Sequence, residues 1–135
     1  METTKYAFKA TVNHSFEEAV QKVTEELKRE GFGVLTGIDV KDTLKKKLDV
    51  DFRKYKILGA CNPPNAYKAL SAEIDIGLML PCNVVVYEGV GGRTVVAAVD
   101  PVASMRAVEN IDLETTAREV RRKLARVIEA MEKGS

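Results

Sequence analysis

The sequence has few of the residues from which metal sites and catalytic triads are built. Its 135 residues include two cysteines, one histidine and no tryptophan. A zinc ion takes about four protein ligands, and a serine–histidine–acid set needs a histidine beside a nucleophile. The single histidine, His14, directly precedes the cap of a predicted helix, where a structural role is the more common one. The sequence therefore argues against a zinc centre and supplies no basis for a triad.

Long apolar runs and an excess of one charge are also missing. The most apolar stretch, Gly77 to Tyr87, is far shorter than the ~20 residues that span a bilayer. Charges occupy the N-terminus, where a signal peptide would be apolar. We therefore expect a cytoplasmic protein with reduced cysteines. The 21 Lys and Arg residues nearly cancel the 20 Asp and Glu residues, so neither nucleic acid nor a membrane is expected as a partner.

The composition and the pattern of apolar residues indicate a single domain over residues 1–135. Hydrophobic residues make up 45% of the chain and charged residues 30%, a balance typical of globular proteins. Alternating apolar residues from Tyr6 to Val12 predict a strand. Ser15, with Glu18 three positions later, is a capping box that starts a helix, and Gly31 supplies its left-handed stop.

The rest of the chain predicts further strands and a long final helix from the same kinds of signal. In order, these are a strand at 34–40, a short surface helix around Leu44 and Leu48, a strand at 52–61, a helix opened by Asn62-Pro63-Pro64 and continuing through Ile74 to Gly77, a valine-rich hairpin at 82–99, and a helix at 113–131 capped by Asn110 or Asp112.

This order of elements predicts an α+β fold. The simplest arrangement is an antiparallel sheet of about five strands with the two long helices on one face and short helices in the connections. The opposite sheet face is also expected to carry apolar residues, namely Leu35, Leu58, Val85 and Val95. A second subunit would cover that face, so we expect a homodimer.

Two cysteines, each followed by an asparagine, form the one candidate site with local specificity. Cys61 ends a strand directly before a predicted helix start, where the helix dipole favours a thiolate or another anionic group. Cys82 begins the next strand, so both thiols are expected at the same end of the sheet. The candidate ligand-binding residues are Cys61, Asn62, Pro63, Pro81, Cys82, Asn83 and Asp100.

Three functions remain open for this corner of the chain. The first is a binding module for a small molecule or a soft metal ion such as copper(I), with Cys61 and Cys82 as the metal ligands. The second is a structural or interaction homodimer without a small ligand, in which the cysteines pack as small apolar residues. The third is a thiol-dependent redox protein or enzyme, in which Cys61 attacks and Cys82 resolves. The sequence identifies no cofactor.

Two other motifs have simpler structural interpretations. The glycine-rich segment Gly89-Val90-Gly91-Gly92 lacks the lysine and the strand-to-helix context of a phosphate loop, so it is predicted to be a turn. Arg118, Arg122 and Arg126 recur every four residues, but Glu114 and Glu119 stand four residues before Arg118 and Lys123, which is helix-pair spacing, and no aromatic residues interleave. This stripe is therefore predicted to be a solvated helix face.

Several segments together resemble a known family. They are Gly59-Ala60-Cys61-Asn62-Pro63-Pro64, Ile76-Gly77-Leu78-Met79-Leu80-Pro81-Cys82-Asn83, and Val99-Asp100-Pro101 followed by Met105. Over nearly the whole chain, the sequence is similar to the domain of unknown function 302 family. The resemblance implies a fold similar to the TATA-binding-protein-like class, with a strand–helix–four-strand–helix core that is often dimeric. It implies no activity, because the family has no established reaction, and nucleic-acid binding does not follow from the fold.

Overall fold

The computed structural model describes residues 1–134 as one sheet with helices in its connections. The strands are β1 (Glu2–Thr3), β2 (Ala7–Val12), β3 (Gly33–Asp39), β4 (Tyr55–Cys61), β5 (Cys82–Glu88) and β6 (Thr94–Val99). The α-helices are α1 (Phe16–Arg29), α2 (Val40–Leu48), α3 (Pro63–Ala72), α4 (Pro101–Ser104) and α5 (Ile111–Lys133). Short 3₁₀ helices cover Ile74–Met79, Val90–Gly92 and Arg106–Val108.

The sheet is antiparallel throughout and has the strand order β1-β2-β6-β5-β4-β3. The α+β prediction is confirmed, with a two-residue edge strand, Glu2–Thr3, in addition to the five expected strands. Helix α1 carries the chain from β2, near one edge, to β3 at the other edge. The predicted hairpin is β5 and β6, and Gly91 and Gly92 in its turn have φ values of +71° and +75°, which favour glycine.

Helix α1 forms where the capping box predicts it. The Ser15 hydroxyl accepts a hydrogen bond from the Glu18 backbone N–H at 3.1 Å, and the Glu18 carboxylate accepts one from the Ser15 N–H at 3.4 Å. The apolar spacing of the helix then places Ala19, Val23 and Leu27 in the core. Gly31, at a φ of +84°, directs the chain out of the helix and into β3.

The core lies between one face of the sheet and the helices α1 and α5. Adjacent strands place Phe8, Ala98, Val84 and Leu58 side by side on this face. Leu124, Val127, Ile128 and Met131 of α5 are buried in the same cluster. Leu58 therefore belongs to the helix-covered face, and its expected place on the opposite face was wrong.

The opposite face of the sheet carries a short row of apolar side chains across its central strands, of which two are half-buried and Ala97 is buried. Ile57, Val85 and Ala97 are neighbours in register, on the side that alternates with the core residues. The rings of Tyr55 and Tyr87 stack beside this row, with centroids 5.3 Å apart. The expected location of Val85 on the face away from the core is confirmed by this register.

Helix α3 is shorter than its apolar periodicity predicts. It ends at Ala72, whose carbonyl accepts a hydrogen bond from the Asn110 side chain at 3.2 Å, and a 3₁₀ helix follows. Ile74 is consequently 78% exposed, and Ile76 takes the buried position instead. Within residues 1–134, no helix combines the length and apolar character needed to cross a bilayer.

Candidate functional site

A cavity of about 340 Å³ lies under α3, next to the ends of β4 and β5. We call it the thiol cavity, because both cysteines line it. Buried Ala60, Cys82 and Val120 lie at its inner end, whereas Leu35, which is 68% exposed, and the exposed Gly77 lie at its rim. Its lining is almost wholly apolar and includes no charged side chain. The arrangement is therefore an apolar hollow with an opening to solvent.

The two cysteines are brought together as the sequence predicts. Cys82 lies opposite Ala60 across the β4–β5 pair, and Cys61 is the next residue of β4. Both are free thiols; Cys82 is 7% exposed and Cys61 is half-buried. Burial, and in second place the charge of Cys61, raise the pKa of the Cys82 thiol to about 11. Cys82 is therefore protonated at neutral pH, which makes it a poor nucleophile.

Asn62 lines the cavity, but its side chain is committed to the fold. Its oxygen accepts hydrogen bonds from the Asn65 backbone N–H at 3.3 Å and from the Asn65 side-chain nitrogen at 3.1 Å. Its nitrogen donates to the Glu30 carbonyl oxygen at 3.3 Å, which connects α3 to the end of α1. Because these contacts use both ends of the amide, Asn62 caps α3 and holds the cavity wall.

The start of α3 offers a ligand no free backbone N–H group. Pro63 and Pro64 have no N–H, the Asn65 N–H is capped by Asn62, and the Ala66 N–H donates to the Asn62 carbonyl at 2.9 Å. The expected anion-binding helix start is therefore wrong in this respect. The first residues of the helix either have no backbone N–H or already use it in a hydrogen bond to Asn62, so none is left to bind an anion.

Three of the seven candidate residues do not line the cavity. Pro63 is exposed, and Asn83 is exposed on the sheet opposite Gly59. Asp100 is buried, where it caps α4 through the Val102 N–H at 3.0 Å and accepts from Arg121 Nε at 3.0 Å. The structure thus brings together Cys61, Asn62, Pro81 and Cys82 at the cavity. Their roles as ligand-binding residues stay predictions.

Pro81 reaches the cavity because the neighbouring strand gives it room. A Cβ atom at Gly59 would lie 2.7 Å from the Pro81 ring and would contact Thr36 Oγ1. Only a glycine therefore fits between these two side chains without a shift of the surrounding atoms. The absence of a side chain at Gly59 leaves room for Pro81, directly before the start of β5 at Cys82.

Metal ligands are sparse at this site. Among residues 1–134, no group of three or more His, Cys, Asp or Glu side chains comes together as a metal-binding cluster. The two thiols of the cavity are thus the ligands that a soft, two-coordinate ion would have to use. His14 does not line the cavity, and its buried Nε2 has no hydrogen-bond partner among the described residues.

Sequence reasoning missed the far wall of the cavity. Pro101 and Met105, in and just after α4, line it together with Leu113, Thr116 and Ala117 of α5. The buried stripe of α5 was predicted, but its periodicity does not say which neighbour it packs against. Helix α4 has four residues, which is too short for a periodic signal.

The arginines of α5 contact carboxylates of the chain itself. Arg126 binds Glu30 through two nitrogen atoms at 2.8–3.2 Å, and this pairing lowers the pKa of Glu30. Arg118 lies 3.4 Å from Glu114, four residues earlier. Arg121 binds Asp100 and lies over the Phe8 ring. Three arginines of this helix are thus paired with carboxylates of the same chain.

Comparison with known proteins gives a family and a structural relative. A family described as "Domain of unknown function DUF302" matches residues 8–131. The crystal structure of an uncharacterized conserved protein DUF302 from Bacillus stearothermophilus is 28% identical in sequence, with a TM-score of 0.89. The alignment covers 96% of this chain and 100% of that one. No functionally curated protein matches the chain.

Proposed function

The chain belongs to the family described as domain of unknown function DUF302, and we propose that it is a binding protein for a small, predominantly apolar molecule. The ligand occupies the thiol cavity, where Cys61 and Cys82 lie against it. The observation that carries this proposal is the character of the cavity, which measures about 340 Å³, is lined mostly by apolar side chains and opens to solvent.

The size and the lining of the cavity support a ligand rather than a packing defect. Pockets for small molecules typically measure roughly 300–1,000 Å³ and are lined mostly by apolar groups. Side chains such as Ala66, Ala69 and Ala117 keep the space open, where larger residues would fill it.

The same observations favour an apolar ligand over redox chemistry. A resolving cysteine must act as a thiolate. The raised pKa of Cys82 opposes loss of its proton, and no cationic side chain lines the cavity to offset a thiolate charge. Resolution of a disulfide by Cys82 would have to overcome this cost, whereas binding of an apolar molecule would not.

The proposal is tested with N-phenyl-1-naphthylamine, an uncharged dye that fluoresces in apolar surroundings. We expect saturable binding to the wild-type protein. The variant Ala66→Phe places a ring at the cavity wall and should weaken binding by about tenfold or more, because overpacking removes the space. Ala107→Phe, at an exposed position outside the cavity, is the matched control and should bind as the wild type does. Equal binding by all three proteins would contradict the proposal.

A second candidate function, self-association, is favoured by the sheet face away from the helices. Half-buried Ile57 and Val85 lie beside buried Ala97 there, and two stacked tyrosines border this apolar row, which ends at Lys9 in register with Ala97. A two-fold dimer would bury identical patches from both copies against each other. This candidate is independent of the thiol cavity, which lies at the end of the strands on the helix side.

A further inference from the structure

We infer that the ligand of the thiol cavity is an uncharged aromatic molecule of about two fused rings. This inference rests on the binding function proposed above and specifies the chemical class of the ligand. Three properties of the cavity carry it: the scarcity of hydrogen-bonding groups, the volume, and the sulfur atoms in the wall.

The scarcity of donors comes from where the chain places its prolines. The chain has four prolines, of which two line the cavity and two lie at the start of α3. Pro81 and Pro101 line the cavity, while Pro63 and Pro64 open the helix that forms one wall. Each proline removes a backbone N–H that would otherwise have to be satisfied by a partner. The cavity is therefore bounded by backbone that offers a ligand few donors.

The polar side chains at the cavity do not compensate for the missing donors. Asn62 uses its oxygen for Asn65 and its nitrogen for Glu30. Asn65, which is 4% exposed, uses its side-chain nitrogen as a donor to Asn62. Besides the two asparagines, the lining has the hydroxyl of Thr116. An ionised ligand would thus lose its hydration without gaining a charged partner, which is costly in an apolar site. The cavity therefore selects for an uncharged molecule.

The volume sets the size of that molecule. A cavity of about 150 Å³ lined by apolar side chains is large enough to bind benzene. The thiol cavity, at about 340 Å³, is roughly twice that size. A fused two-ring compound such as naphthalene matches this space, whereas a single ring would leave much of it empty.

Sulfur atoms favour an aromatic ligand over a saturated one. Cys61, Cys82 and Met105 all line the cavity. Polarizable sulfur makes favourable contacts with the edges of aromatic rings, and saturated hydrocarbons of equal size gain no such contact. Phe32 adds a buried aromatic ring to the same wall. The lining is therefore suited to a flat, polarizable ring system.

A neighbouring hollow with basic side chains would favour the opposite kind of ligand, an anion. Lys68 and Lys123 line a separate hollow that shares Asn62 and Asn65 with the thiol cavity. Glu119 lines this hollow too, and Glu30 there is paired with Arg126. If the ligand carried a carboxylate toward these lysines, anionic compounds would bind more tightly than neutral ones.

The experiment compares naphthalene, 2-naphthoate and decalin as competitors of N-phenyl-1-naphthylamine on the wild-type protein. We expect naphthalene to displace the dye. We expect 2-naphthoate to bind about 100-fold more weakly or worse at neutral pH, since its charge would be buried without a partner. Decalin, which is saturated and of similar size, should bind about threefold more weakly or worse, because it lacks the contacts between sulfur and ring.

The outcomes separate this inference from the proposed function. If 2-naphthoate binds as well as naphthalene, and Lys68→Gln with Lys123→Gln removes that binding, the ligand is anionic and the inference is overturned while the cavity still binds. If decalin matches naphthalene, the aromatic preference is overturned. If neither the dye nor any of the three compounds binds, the binding function itself fails.

Discussion

The side-chain oxygen of Asn62 accepts two hydrogen bonds from Asn65, one from its backbone N–H and one from its side-chain nitrogen. This pair closes the first turn of α3 and forms the part of the cavity wall where strand β4 gives way to the helix. Replacing Asn62 by Ala would leave the N–H of Asn65 and the Glu30 carbonyl without their partners.

We therefore expect Asn62→Ala to lower the free energy of unfolding by about 1–3 kcal/mol, since a helix cap and buried hydrogen bonds are lost together. Urea unfolding followed by circular dichroism measures the change. Asn83→Ala is the control, because Asn83 is exposed and caps no helix; it should change stability by less than about 0.5 kcal/mol. Equal effects of the two substitutions would contradict the structural role given to Asn62.

The close approach at Gly59 makes a second prediction. Gly59→Ala should lower the free energy of unfolding by about 1–3 kcal/mol, because its Cβ would collide with Thr36 and Pro81. Adding Thr36→Ala to Gly59→Ala should restore part of the loss by removing the hydroxyl. Gly33→Ala, in the adjacent strand, is the matched control, since no atom lies within 4 Å of its added methyl group. Chemical denaturation of the four proteins measures these free energies of unfolding. If Gly59→Ala were as stable as the wild type, the close approach of Gly59 to Pro81 and Thr36 would be contradicted.

The burial of Cys82 has a consequence for stability at high pH. Its thiol has a pKa of about 11 in the folded protein, against 9.0 ordinarily, so the folded state keeps a proton that the unfolded chain releases. The stabilisation is complete below pH 9 and is lost as the pH rises toward 11. The two pKa values correspond to about 2–3 kcal/mol.

This pH dependence is measured by urea unfolding of the wild type and of Cys82→Ala at several pH values. The wild type should lose about 2–3 kcal/mol more than the variant over this range, because lysine and tyrosine titrations are common to both proteins. Iodoacetamide should likewise label Cys82 slowly at mildly alkaline pH in the folded protein and rapidly after unfolding. Identical pH profiles for the two proteins would mean that the thiol is not buried as the fold requires.

Self-association through the sheet face is tested by changing one residue at its centre. Val85→Lys places a charge between Ile57 and Ala97, so it should convert a dimer to a monomer in sedimentation experiments. Gln21→Lys, on the exposed side of α1, adds the same charge elsewhere and should leave the association unchanged. A wild-type protein that sediments as a monomer at high micromolar concentration would remove this candidate.

Local signals in the sequence were sufficient for most of the elements. The Ser15–Glu18 capping box, the Asn62-Pro63-Pro64 helix start and the glycine-rich hairpin turn each act within a few residues, so they can be recognised without the fold. The meeting of Cys61 and Cys82 at one end of the sheet followed from the same signals, because adjacent antiparallel strands place the end of one beside the start of the next.

The remaining features depend on contacts between distant parts of the chain. Helix α3 ends where the Asn110 side chain, 38 residues away, reaches the Ala72 carbonyl, and no nearby residue signals this stop. The far wall of the cavity comes from Met105 and from α5, whose packing partner is set by the assembled sheet. Likewise, Asp100 was expected at the site because of its position in the sequence, but its ion pair with Arg121 holds it outside the cavity.

The most direct test of the account is a crystal structure of the protein soaked with 2-bromonaphthalene, in which anomalous scattering locates the bromine. We predict a single strong bromine peak inside the thiol cavity, between Ala69, Cys82 and Leu113. A cavity without bromine, in crystals where the compound is bound elsewhere on the surface, would contradict the claim that this hollow is a ligand site.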